Sequence, residues 1–273
     1  MNGVIPIAIL GDGPHARALH DHAAPLGRFS VRPDWRDAEV LLAFGAPGTQ
    51  VDDIAVALRA GRVVLCAPPV ARDLARIPGG KLIVAGDVAY SEVGSRAIEL
   101  IRAPEFGPLR SLYIAIRHAR GGGDVLEDLA WEALDFVLSV AKPKRVHATV
   151  GALFGGAHDT AVILMRTEDD AVVTIELSRC LPRTLPLAEV EIEALGANQS
   201  IHLEPHATSV RTYRDTGVSI APWLDAPIIR MLRTVASVVD GATVDDPLPR
   251  QRDLLATMTA IRASIGAAEA ITI

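Results

Sequence analysis

Ile5, Ile7, Ile9 and Leu10 form an apolar run that stops at Gly11, and Ala16, Leu19 and Ala23 follow at helical spacing. A short apolar run of this kind is a buried strand, and the change of period from two to about 3.6 marks the start of a helix. The alternation then repeats. Residues 28–33 predict a short second strand, 37–44 a third, 51–60 a helix closed by Gly61, 62–66 a fourth strand, 81–85 a fifth and 91–102 another helix. Strands alternating with helices give a parallel, doubly wound sheet.

From Gly107 onward the pattern changes. The runs 109–117, 145–153, 160–167, 171–178, 188–195, 200–203 and 208–213 are short, β-rich and separated by turn signals such as Glu168-Asp169-Asp170 and Gly196-Ala197-Asn198. Consecutive strands at this spacing predict a mostly antiparallel sheet. One helix, 125–140, interrupts them, and two more, 226–239 and 249–265, close the chain. The fold class expected is therefore α/β plus α+β: a parallel sheet first, then an open-faced, mostly antiparallel one.

The first strand-to-helix turn reads Gly11-x-Gly13-x-x-Ala16. Gly11 permits the sharp turn, Gly13 lets a pyrophosphate approach the backbone, Ala16 keeps helix and strand close, and the free N–H groups of the helix start attract phosphate. Strand before and helix after supply the context that such a motif requires. An ordinary tight βα turn with no nucleotide is the competing reading.

Composition narrows the classes. Lys and Arg total 27 against 33 Asp and Glu, a net charge of −6 without blocks of like charge, which argues against a nucleic-acid partner. Two cysteines, Cys66 and Cys180, lie in apolar, strand-like contexts and suit a reduced compartment as packing residues. There is no basic leader and no apolar run of membrane-spanning length, so a cytoplasmic location without membrane contact is expected. Aromatic residues make up only 4%, so the core must be aliphatic. The eight histidines lack metal-ligand spacing, and no Gly-x-Ser-x-Gly elbow or phosphate-loop lysine occurs; no metal is expected.

One helix concentrates acids. In a continuous helix over 125–140, Asp128, Glu132, Asp135 and Ser139 share a face opposite an apolar stripe of Leu126, Leu129, Ala130, Ala133, Val137 and Val140. Crowded in a partly dry site, such acids raise one another's pKa and supply a proton donor; on the surface they are a solvated face. Arg117, His118 and Arg120 precede Gly121–Gly123, a hinge-like loop leading into this helix, and can either bind an anion or pair with the acids.

In their order, the strand–glycine turn, residues 43–69, EFGPLRSL (105–112), GGGDVLEDLAWEALDFVL (121–138) and the last helix (254–273) resemble the Gfo/Idh/MocA oxidoreductases over nearly the whole chain. The resemblance implies an N-terminal Rossmann domain, residues 1–105, and an antiparallel-sheet substrate and dimerisation domain, 106–273, with its last helices packed back on the first. It implies NAD or NADP as cofactor, and a helix over 125–140 that lines the cleft between domains. Three departures accompany it. The family's Glu-Lys-Pro is Ala67-Pro68-Pro69, so the lysine position is Pro68; Asp-x-Gly-x-His-x-x-Asp becomes Asp128-x-Ala130-x-Glu132-x-x-Asp135, so the histidine position is Glu132; and the region 28–40 is shortened, with Arg32 where an acid would hold the ribose. An arginine there favours NADP over NAD, unless it is a bare surface residue.

The expected cofactor contacts are Gly11, Gly13, Pro14, His15, Ala16, Arg32, Ala46, Pro47 and Pro68. Glu132, Asp128 and His118 are the expected catalytic residues, with Asp135, Arg117, Tyr90 and Trp131 toward a small polar carbonyl, imine or hydroxyl substrate. The alternative is a non-redox member, a ligand- or partner-binding protein or an enzyme of another class, with no cofactor. An open sheet leaves a face needing cover, so a homodimer or higher homo-oligomer is expected.

Overall fold

The computed structural model describes residues 3–11, 14–23, 25–45, 50–121, 123–153, 157–182, 189–203, 209–214, 217–222 and 227–273, without the side chains of residues 14, 15, 209, 221 and 222. The chain forms two compact units, Met1–Ser91 with Asp225–Arg252, and Glu92–Leu224 with Asp253–Ile273.

The first unit begins β1 (Ile5–Leu10), α1 (Pro14–Ala23), β2 (Phe29–Val31), β3 (Val40–Ala43), α2 (Val51–Arg59), β4 (Val63–Cys66), β5 (Leu82–Val84) and α3 (Asp87–Tyr90). Its five strands pair in the order β2-β1-β3-β4-β5, all parallel. All four residues of β3 and of β4 are buried, as a sheet covered on both faces requires. Ile5, Ile7, Val40, Leu42 and Leu65 face one core cluster; Ala8, Leu41, Ala43, Val64 and Cys66 face the other with α2. Burial pushes the Cys66 thiol up to about 12, so it is an inert packing group.

The second unit starts with α4 (Glu92–Arg102), β6 (Leu109–Ala119), α5 (Val125–Asp128), α6 (Ala130–Leu138), β7 (Pro143–Gly151), β8 (Thr160–Thr167), β9 (Val172–Leu181), β10 (Glu189–Gly196), β11 (Ser200–Leu203), β12 (Ser209–Arg214) and β13 (Gly217–Pro222). Then come α7 (Pro227–Val239) of the first unit, α8 (Leu248–Ala267) and β14 (Ile271–Thr272). The sheet order is β13-β12-β11-β10-β6-β9-β8-β7-β14, antiparallel except for the parallel pair β6 and β9. Along β8 burial alternates strictly, with Ala161, Ile163 and Met165 inside and Val162 and Leu164 outside, so one face is covered and the other open.

Where the periodicity predicts one helix over 125–140, there are two, meeting at Leu129, whose φ of −113° lies well off the usual helical value. The sequence divides the chain once, at 105/106. Contacts divide it at Ser91/Glu92 and return Asp225–Arg252 to the first unit, because Ile228, Met231, Leu232 and Val235 of α7 pack against the parallel sheet.

Candidate functional site

At the carboxyl ends of the parallel strands the order reverses between β1 and β3, the position at which open α/β sheets bind ligands. Gly11 leaves β1 there with φ +117°, and a Cβ on it would lie 2.8 Å from the carbonyl carbon of Phe44. The Phe44 N–H donates to the Leu10 carbonyl at 2.9 Å, so β1 and β3 close on each other at this point and only glycine fits. Gly11 is thus required by the chain's own packing, whatever binds above it. The Gln50 side chain accepts from the Gly45 N–H at 3.1 Å and ties the exit of β3 to the start of α2. Ala16 is buried under α1. Gly13, Ala46 and Pro47, and the side chains of Pro14 and His15, lie outside the described residues.

Arg32 is exposed immediately beyond β2, next to β1, its backbone N–H bonded to the Ile7 carbonyl at 2.7 Å. Asp34, two residues on, accepts from the Arg36 N–H at 2.9 Å. Pro68 is buried beyond β4 and brings no cation to the site. Tyr90 ends α3 half-buried against the core of the first unit. Gln251, at the start of α8, is fully buried; its Oε1 accepts from the Val70 N–H at 3.3 Å, four residues past β4, while its Nε2 has no hydrogen-bond partner among the described residues. Sequence reading missed it, because nothing in the spacing of α8 marks a glutamine as buried. An open depression of about 420 Å³, lined among others by Arg36, Glu39, Arg62 and Lys81, lies at the strands' amino ends, the wrong end for a switch-point ligand.

In the second unit the acids of the helical segment have separate tasks. Asp124 caps α5 by accepting from the Leu126 N–H at 2.8 Å, and its other oxygen lies 2.8 Å from His158 Nδ1. Asp128 pairs with Arg179 of β9 at 2.5 Å, and Glu127 pairs with Arg262 of α8 at 2.5 Å. Each of these anchors the helix. A Cβ on Gly123 would collide with the Asp128 carboxylate and lie 3.2 Å from the Arg179 guanidinium, so Gly123 packs directly against this ion pair. The aspartate before the first helical residue is a readable start signal; Arg179, in an ordinary strand, gave none.

The polar face expected on the helix is only partly solvated, with Asp128 exposed. Asp135 is 0% exposed and Ser139 4%, because seven of the nine residues of α6 are buried. The Ser139 hydroxyl donates to the Asp135 carbonyl at 2.8 Å, and Arg102 Nε donates to the Ser139 carbonyl at 2.7 Å. Glu132 is half-buried. Trp131 is a core residue with Arg262 over its ring at 5.9 Å.

Arg117 does not join these acids. On β6 it shares a face with Tyr113, away from the buried Leu112, Ile114 and Ile116, and there it bonds Glu191 at 3.0 Å and the Tyr113 hydroxyl at 3.2 Å. Tyr113 donates to Glu176 at 2.7 Å; burial, then this bond, pushes its phenol up to about 12. His118 is half-buried near the end of β6. Among the described residues no group of His, Cys, Asp and Glu is arranged to hold a metal, and no helix is long and apolar enough to cross a membrane.

Residues 96–202 match the model of the GFO/IDH/MocA C-terminal domain. No curated protein matches the sequence. Among solved structures, a myo-inositol dehydrogenase from Corynebacterium glutamicum superposes with a TM-score of 0.80 at 17% identity, covering 99% of each chain. GenD2 from gentamicin A biosynthesis, in complex with NAD, gives 0.79 at 16% identity over 99% of this chain and 97% of its own. An oxidoreductase from Agrobacterium radiobacter, in complex with NAD+, L-tartaric acid and magnesium, gives 0.79 at 13% identity over 98% of both. These likenesses are of fold.

Proposed function

From the match of residues 96–202 to the GFO/IDH/MocA C-terminal domain, we propose that the protein is a cytoplasmic NAD(P)-dependent oxidoreductase acting on a small polar carbonyl, imine or hydroxyl compound. The observation that carries this reading is the five-stranded parallel sheet whose order reverses beside Gly11. The residues present fit a dinucleotide: α1 starts at the switch point, a cation stands at the end of β2, and an orphaned buried amide lies at the turn after β4. A bound nicotinamide ring supplies the redox chemistry.

The chain's own groups do the rest. Arg32 reads a 2′-phosphate, which makes NADP the preferred form. Glu132 holds or releases the substrate proton from α6, which follows directly on the α5 turn fixed by Asp124, Glu127 and Asp128. His118 and Asp135 remain in the proposed site; Asp128 is reassigned from catalysis to positioning by its pair with Arg179. A second copy of the chain covers the open sheet face, where Val162, Leu164, Val172, Leu195, Val218 and Ile220 are each at least 40% exposed.

Pro68 favours a second reading, a non-redox protein on the same scaffold, because a buried proline donates no proton. Glu132→Gln separates the two. Under the redox reading it loses turnover, retains NADPH binding and removes one ionisation from the pH profile of the wild type. Full activity in the variant would take the proton relay from Glu132; absence of turnover by the wild type with every carbonyl, imine and alcohol tested would favour the second reading.

A further inference from the structure

Resting on the dinucleotide reading above, we propose that Gln251 recognises the nicotinamide end of the cofactor, donating an Nε2–H to the carboxamide oxygen. Its orientation follows from its one bond. The Val70 N–H needs an acceptor, so Oε1 faces Val70 and the two N–H donors of Nε2 point elsewhere, where no acceptor among the described residues meets them. A fully buried amide with unused donors is costly to keep, and such a group in a native fold calls for an explanation.

Its place supplies one. Val70 lies four residues beyond the carboxyl end of β4, the edge where a doubly wound sheet binds its ligand. β4 is two strands from β1, on the side opposite β2. With the pyrophosphate over β1, one arm of a dinucleotide runs over β2 toward Arg32 and the other over β3 and β4, about 10 Å away at the usual strand spacing. The turn itself is poor in donors: Pro68 and Pro69 have neither a backbone N–H nor a polar side chain, and the Val70 N–H is taken by Gln251. The amide from α8 therefore brings a donor to a stretch in which Pro68 and Pro69 supply none. The nicotinamide carboxamide is the group on that arm with a neutral carbonyl acceptor.

The test compares three probes on wild type and Gln251→Met, a replacement of similar length and volume, by calorimetric titration. NADPH carries the nicotinamide, its thionicotinamide analogue replaces the carboxamide oxygen with a weaker acceptor, and 2′-phospho-ADP-ribose lacks the ring. The variant should bind NADPH roughly tenfold more weakly, bind 2′-phospho-ADP-ribose unchanged, and lose the wild type's preference for NADPH over its thio analogue. Gln251→Leu serves instead if the methionine variant melts early. Equal affinity for NADPH in wild type and variant, or equal weakening of all three probes, would overturn the role of Gln251 while leaving the dinucleotide site standing. Failure of the wild type to bind any of the three would overturn the dinucleotide reading itself, and this inference with it.

Discussion

Replacing Gly11 by alanine tests whether the glycine turn is required by the fold before any ligand arrives. An L-residue at φ +117° is strained by about 1–3 kcal/mol. The added Cβ would also press on the Phe44 peptide, 2.8 Å from its carbonyl carbon, and displacing a packed backbone costs about 1–3 kcal/mol more. The sum, about 4 kcal/mol, should lower the melting temperature by roughly 10 °C in a chain of this size. Gly27→Ala is the control, since Gly27 has φ +64° but nothing within 4 Å of its Cβ position; it should lose only about 1 kcal/mol. Both variants are melted without nucleotide, followed by circular dichroism. A Gly11→Ala shift no larger than that of Gly27→Ala would refute the close approach of β1 and β3 as the reason for this glycine.

Asp128→Ala leaves the Arg179 guanidinium, only 15% exposed, without its carboxylate. With Asp128 itself 41% exposed, the loss should be about 1–2 kcal/mol, seen as a lower urea midpoint; an unchanged midpoint would mean that the pair does not anchor α5 to β9. The Tyr113 phenol should ionise at about 12, against about 10 in an unfolded chain. Its contribution to stability is therefore complete below pH 10 and disappears as the pH climbs from about 10 to 12. Phenolate absorbance of wild type and Tyr113→Phe reads this directly, and a full-amplitude transition near 10 in the wild type would contradict it.

What the sequence made legible was whatever one strand or helix decides by itself. Strands 160–167 and 200–203 match β8 and β11 residue for residue, because alternation there reflects a single covered face. β13 was missed: on this edge strand Val218 and Ile220 point outward, so its alternation gave no apolar inner row. Periodicity alone describes 125–140 as an amphipathic cylinder, while its environment is made by partners distant in sequence, Arg179, Arg262 and His158. That is why Asp135 is in the core and Asp128 in an ion pair, not side by side on a wet face. Arg117 failed for a simpler reason: strand alternation sends its side chain to the open face of the sheet, toward Glu176 and Glu191. The glycine turn was legible because Gly11 answers to neighbours only a strand away.

The central claim, a dinucleotide site at the reversal between β1 and β3 with Arg32 at its adenosine end, is tested most directly by titrating the purified protein with NADPH and NADH and following nicotinamide fluorescence, in wild type and in Arg32→Gln. The account predicts saturable binding of both, tighter for NADPH, with that preference lost in Arg32→Gln. Absence of saturable binding of either nucleotide to the folded wild-type protein would contradict it.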